Sequence, residues 1–172
     1  MDKIKCQYPQ DVDGKTTAPH PKDAFIGSPY DPTSFGCFSP ALVTMMNQFL
    51  PIGLNAVDTT GTSLQTLAET YLPQGTPVLI WATINMANHH DYLGWYILNK
   101  DGKPTDEWYD WQVNEHCLVL LGYDSNYYYF NDPNAWQSQT RFGREIVEER
   151  FVSMGMYSAV VMNVQNKQPV SP

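Results

Sequence analysis

Residues 116–133 constrain this chain more than any other stretch. His116-Cys117-Leu118-Val119-Leu120-Leu121-Gly122-Tyr123 is an apolar run opened by a histidine, and Asp124-Ser125-Asn126 supplies a turn after it. Tyr127-Tyr128-Tyr129-Phe130-Asn131-Asp132-Pro133 then reads as an aromatic strand that delivers an Asn-Asp-Pro. Runs rich in β-branched and aromatic residues, bounded by turn formers, predict strands. Two antiparallel strands in this order bring His116 and Asp132 to the same end of a hairpin. That end then holds one group that titrates near neutral pH and a carboxylate able to orient it. Asp132 before Pro133 also suits a plain turn in which the carboxylate binds backbone N–H groups. What a catalytic pair of this kind needs next is a nucleophile.

The rest of the chain supplies a mixed frame around the hairpin. Pro9, Gly14, Pro19, Pro21, Gly27, Pro29 and Pro32 prevent a long helix before residue 35, so this segment is expected to be extended and turn-rich. Ser39-Pro40 suits an N-cap and first turn, and Leu42, Met45, Met46 and Phe49 form an apolar stripe at helical spacing that ends before Pro51 and Gly53. A second helix is expected from Thr62 or Ser63, carrying Leu64, Leu67, Ala68 and Tyr71. Pro77 to Ile84 is nearly continuous in apolar residues, as for a strand covered on both faces. Residues 85–114 read as a long irregular segment, in which Trp95, Trp108, Tyr109 and Trp111 either line a cleft or cap the core. A helix at 141–153, with Glu145, Glu148 and Glu149 on a solvated face, and a strand at 157–162 complete the series. Helices first and an antiparallel sheet after them make an α+β domain.

Composition narrows the function classes. With 172 residues, 42% of them hydrophobic, the chain suits one compact domain over 1–172, with an extended segment at 1–22 and a flexible tail at 164–172. A net charge of −8 offers no basic stripe for nucleic acid or an anionic membrane. No apolar run is long enough for a membrane-spanning segment, and no leader is present, which suggests a cytoplasmic chain as it stands, or an extracellular one if its N-terminus was trimmed. Cys6, Cys37 and Cys117 are too few and too scattered for a disulfide framework. Cys117 alternates with His116 and should face the other way, into the core, while Cys6 lies in the turn-rich segment. His89-His90-Asp91 and Glu115-His116 contain ligand-type residues, but adjacent histidines converge poorly on one ion and no Cys-x-x-Cys occurs, so no metal or cofactor is expected.

Several motifs in the right order then carry a family resemblance over roughly residues 23–162. Phe25-Ile26-Gly27-Ser28-Pro29-Tyr30, Gly36-Cys37-Phe38-Ser39-Pro40, Gly75 to Thr83, His116 to Tyr123 and Tyr129 to Pro133 resemble bacterial peptidases related to the bacteriocin leader-processing (double-glycine leader) cysteine peptidases. The resemblance implies a papain-like fold, N-terminal helices packed on an antiparallel sheet, and hydrolysis of peptide bonds in a peptide or protein substrate through a Cys-His-Asp set. His116 then matches the general base and Asp132 its orienter. Two placements of the nucleophile stay open. Cys37 stands before a helix, where the dipole lowers a thiol pKa and backbone N–H groups bind an oxyanion. The family's own pattern, however, is Gly-Cys-Glu or Gly-Cys-Gly with a glutamine just upstream, and here the polar residues upstream are Ser28, Asp31 and Ser34. In longer relatives that helix precedes a segment like Phe25 to Leu50, which would put the nucleophile ahead of Met1. On that placement the chain is a catalytically incomplete module that binds peptide or protein. Peptidase and transpeptidase chemistry share an acyl-enzyme and look alike at this level.

Overall fold

Turn residues cut the N-terminal quarter into four short strands: β1 (Cys6–Gln7), β2 (Gln10–Val12), β3 (Lys15–Ala18) and β4 (Phe25–Ile26). Then come α1 (Ser39–Met46), β5 (Leu54–Asp58), α2 (Leu64–Tyr71), β6 (Val78–Thr83), β7 (Tyr92–Leu98) and β8 (Pro104–Gln112). The series closes with β9 (Glu115–Tyr123), β10 (Tyr127–Asn131), β11 (Thr140–Gly143), α3 (Arg144–Ser153) and β12 (Ser158–Asn163). The computed structural model describes residues 5–89, 92–134 and 139–164, so nearly all of the expected C-terminal tail, and His90 and Asp91, lie outside the described residues. The fold is α+β, with few helices and a large sheet. None of the helices among the described residues is long and apolar enough to cross a membrane.

The chain divides into two compact units, Met1–Met45 with His89–Asn114, and Met46–Asn88 with Glu115–Pro172. The second holds a six-stranded sheet in the order β11-β10-β9-β6-β12-β5, antiparallel at every pairing. Val78, Ile80 and Ala82 of β6, Leu118 and Leu120 of β9, and Tyr128 and Phe130 of β10 alternate onto one face. Leu64, Leu67, Ala68 and Tyr71 of α2 and Val147 and Phe151 of α3 join them in a single apolar cluster. Ser63 caps α2 as its position suggests: its backbone is extended and its Oγ accepts the Thr66 N–H at 3.2 Å. Glu148 is part-exposed on its helix, with 44% of its side chain open to solvent, and it also makes a tertiary contact. Its carboxylate accepts the Tyr128 hydroxyl at 2.7 Å and lies 3.5 Å from Arg144, tying α3 to the hairpin.

Strand β5 has no counterpart among the sequence expectations, and it forms one edge of this sheet. Its centre is guarded by a side chain. The Asn47 amide donates to the Ala56 carbonyl at 3.0 Å and accepts the Ala56 N–H at 2.8 Å, so one side chain imitates a paired strand. Blocking an edge in this way discourages pairing with another chain. Asn47→Ala is expected to lower stability by about 1–2 kcal/mol, the loss of two hydrogen bonds at a half-buried edge. It should also raise self-association, and urea unfolding together with sedimentation at two concentrations checks both.

The first unit corrects the expectation of an irregular segment at 85–114. β7 and β8 form an antiparallel hairpin, and with β2 and β3 they build a four-stranded sheet in the order β2-β3-β7-β8. Aromatic residues in this stretch are strand formers, and Asn99-Lys100-Asp101-Gly102 turns the chain, with Gly102 at φ 75°. Trp95 and Trp111 are buried and stacked at 5.9 Å, and Phe35 meets both edge-on. The Trp95 indole donates to the Pro19 carbonyl at 3.2 Å. These two tryptophans are core, whereas Trp108 points outward. Two helix boundaries also move. Ser39 is the first helical residue of α1 rather than its cap, since the Phe38 carbonyl accepts the Leu42 N–H at 3.1 Å, and the helix ends at Met46. The helix expected at 141–153 begins as strand β11 and turns helical at Arg144.

Candidate active site

His116 and Asp132 meet because of one extra residue. From Tyr128↔Tyr123 and Tyr129↔Gly122 the β9–β10 register jumps to Phe130↔Leu120, leaving Leu121 unpaired as a β-bulge. An unbroken register would set Phe130 opposite Leu121, and Asp132 would then share a face with Cys117 and Val119. A one-residue slip exchanges the two faces of a strand. With the bulge, Phe130 pairs with Leu120, and Asp132 lies on the face of Leu120, Leu118 and His116. There the His116 Nε2 and Asp132 Oδ1 atoms are 2.6 Å apart. The pair sits at the end of the apolar stripe of its sheet, with 13% of the histidine side chain exposed and 5% of the aspartate.

The aspartate is held from its other side as well. Its Oδ1 accepts the Asn134 N–H at 2.8 Å, closing an Asx turn through Pro133. The turn expected at Asp132 is therefore formed by the same oxygen that meets His116. An ionised carboxylate only accepts hydrogen bonds, so Nε2 carries the imidazole proton of the neutral ring and Nδ1 carries the lone pair. A base oriented in this way can take a proton from a thiol, hydroxyl or water.

Cys37 belongs to the other unit and is half-buried. The backbone around it is tied on both sides. Ile26 and Gly36 exchange hydrogen bonds of 2.7 and 3.1 Å, and the Phe38 N–H donates to the Pro21 carbonyl at 3.0 Å. Gly36 has φ 112°, a conformation glycine adopts freely and other residues rarely do. Phe35 abuts Trp95 and Trp111, and Phe38 stacks on Trp111 at 5.5 Å. The thiol thus rides on a short arch clamped by aromatic packing, one residue before the position that caps α1. Cys6 lies exposed on β1, and Cys117 faces away from the His116 side of β9, half-buried. His89 Nδ1 lies 3.3 Å from Asn114 Oδ1. Among the described residues no three histidine, cysteine or acidic side chains come together as a metal would require.

Glu115 is a group that sequence reasoning passed over except as a weak ligand. It pairs with Thr83 across β6 and β9, on the face away from His116. Burial pushes its carboxyl up to about 7, from an ordinary 4.5. The folded chain therefore keeps a proton that the unfolded chain releases between those two values. This group leaves stability intact below about pH 4.5 and erodes it as pH rises to about 7, by roughly 2–3 kcal/mol in total. Glu115→Gln is expected to match the native chain near pH 4.5 and to exceed it by about 2 kcal/mol near pH 8. Urea unfolding at the two pH values reads the difference. A variant no more stable than the native chain at the higher pH would mean that Glu115 ionises normally.

Comparison with known proteins adds an independent line. Residues 6–159 match the family described as "Peptidase_C39 like family". The chain is 24% identical over 141 residues to the uncharacterized protein YvpB of Bacillus subtilis (strain 168), an alignment covering 82% of this chain and 52% of that one. It thus spans about half the length of the curated relative. The fold also matches the crystal structure of a "putative C39-like peptidase" from Bacillus anthracis, with a TM-score of 0.75 and 26% identity over 94% of this chain and 76% of the other. A match over most of the sequence, with the fold to go with it, places the chain in the Peptidase_C39-like family.

Proposed function

We propose that this protein is a cysteine peptidase of a single papain-like domain, in which Cys37, His116 and Asp132 form the catalytic set acting on a peptide or protein substrate. The observation that carries the reading is the 2.6 Å contact between His116 Nε2 and Asp132 Oδ1, which leaves Nδ1 as a directed base. In the reaction His116 Nδ1 takes the Cys37 thiol proton, and the thiolate adds to the substrate carbonyl carbon. The tetrahedral intermediate collapses to a thioester as the imidazolium protonates the departing amine. Water, deprotonated by the same nitrogen, then hydrolyses the thioester and restores the thiol. In the first turn of α1 Pro40 has no N–H and Leu42 donates to Phe38, so the Ala41 N–H is the one that suits the oxyanion; the Phe38 N–H is committed to Pro21.

A second reading is favoured by one specific observation. Cys37 lies outside α1 by two residues, further from the helix dipole than a nucleophile in its first turn. On this reading the chain binds peptides without cutting them. Incubation with a mixture of unstructured peptides, followed by mass spectrometry, separates the two. Cleavage that disappears in Cys37→Ser supports the peptidase. Retained binding with no cleavage by either form supports the binding module.

A further inference from the structure

The outward face of the first unit's sheet carries two pairings of an aromatic ring with a carboxylate, and among the described residues only one of them holds a cation. Along β8, Asp106, Trp108, Asp110 and Gln112 alternate onto the face opposite Trp111, with Tyr96 and Gly94 of β7 as the partners of Trp108 and Asp110. At the first pairing the Lys15 ammonium of β3 sits 4.6 Å from the centre of the Tyr96 ring and 2.8 Å from Asp106 Oδ1. The second, Trp108 with Asp110, receives no lysine or arginine among the described residues. Yet it is built firmly. The indole lies against Gly94, where an added Cβ would come 2.4 Å from Cζ2 of the ring, so only glycine leaves it room. Its Nε1–H donates to Asp110 Oδ1 at 2.7 Å. Trp108 nonetheless leaves 50% of its surface to solvent.

A further feature points the same way: β8 is an edge strand, nine residues long.

We propose that β8 docks an extended basic peptide, one of whose lysine or arginine side chains lies on Trp108 against Asp110, as Lys15 lies on Tyr96 against Asp106. Trp is the strongest aromatic partner for a cation, and strand addition supplies main-chain hydrogen bonds while alternate side chains supply selectivity. Asp106, Glu107 and Asp110 on the strand, and a net charge of −8, complement a cationic partner. Binding of this kind needs neither Cys37 nor His116 and stands apart from the peptidase reading.

The test uses the full chain and a fluorescein-labelled Lys-Thr-Lys-Val-Lys-Thr-Lys peptide, followed by anisotropy at low and high salt. Two control peptides replace lysine by glutamate or methylate alternate backbone amides. The lysine peptide is expected to bind and the glutamate peptide not to. Trp108→Ala should weaken binding about three- to tenfold. Asp110→Asn, which keeps an acceptor for the indole N–H, should weaken it similarly, and backbone methylation should weaken it at least as much. Failure of the lysine peptide to bind overturns the proposal. So does binding that is indifferent to both variants and to methylation, which would be general attraction to an acidic chain.

Discussion

His116→Ala is expected to lower peptide-bond hydrolysis by about 10³-fold while leaving the fold in place. The side chain lies at the end of its apolar stripe rather than within it, so its removal opens little of the core. Asp132→Ala should cost on the order of 10²-fold, because the imidazole remains but loses the partner that fixes its tautomer and direction. The two losses are not expected to add in the double variant, since the aspartate acts only through the histidine. Steady-state kinetics on a cleaved peptide, beside thermal unfolding of each variant, check this. If Asp132→Ala reduced the rate as much in a His116→Ala background as in the native chain, the two residues would not act as one unit.

Phe130→Ala is expected to destabilise the protein by about 3–5 kcal/mol, the cost of emptying a fully buried aromatic site. Phe130 has no exposed surface, pairs with Leu120 and packs 6.2 Å from Phe142. The same residue tests the bulge. Its inward direction and that of Asp132, two residues on, are fixed by one register. Urea unfolding that showed a loss below about 1 kcal/mol would place Phe130 on the open face of the sheet and take Asp132 with it.

The strongest parts of the candidate site were legible in the sequence for simple reasons. An apolar strand, a turn containing Asp124 and an aromatic strand define a hairpin, and Asp124 does bind the Asn126 and Tyr127 N–H groups across that turn. α2 was equally plain, because Ser63 and the Leu64, Leu67, Ala68, Tyr71 stripe agree with each other. The bulge at Leu121 was not legible. Nothing in Leu120-Leu121-Gly122 says which residue will be skipped; core packing of Leu118 and Leu120 on one strand and Tyr128 and Phe130 on the other decides it. The β7–β8 hairpin was obscured by its composition. Two of its inward residues are tryptophans and its outward ones mix charge with aromatic rings, so no contrast of apolar and polar alternation marks a strand. Asn47 was hidden for another reason: a side chain that caps a strand edge leaves no periodic trace.

Alkylation of Cys37 by iodoacetamide at about pH 6, followed residue by residue with mass spectrometry in the native chain and in His116→Ala, tests the central claim most directly. Cys6 serves as the internal reference, since it is exposed and burial still raises its thiol pKa somewhat. The peptidase reading predicts that Cys37 reacts at least about tenfold faster than Cys6 and falls to the Cys6 rate when His116 is removed. A Cys37 that reacts no faster than Cys6, and at the same rate in both proteins, would contradict it.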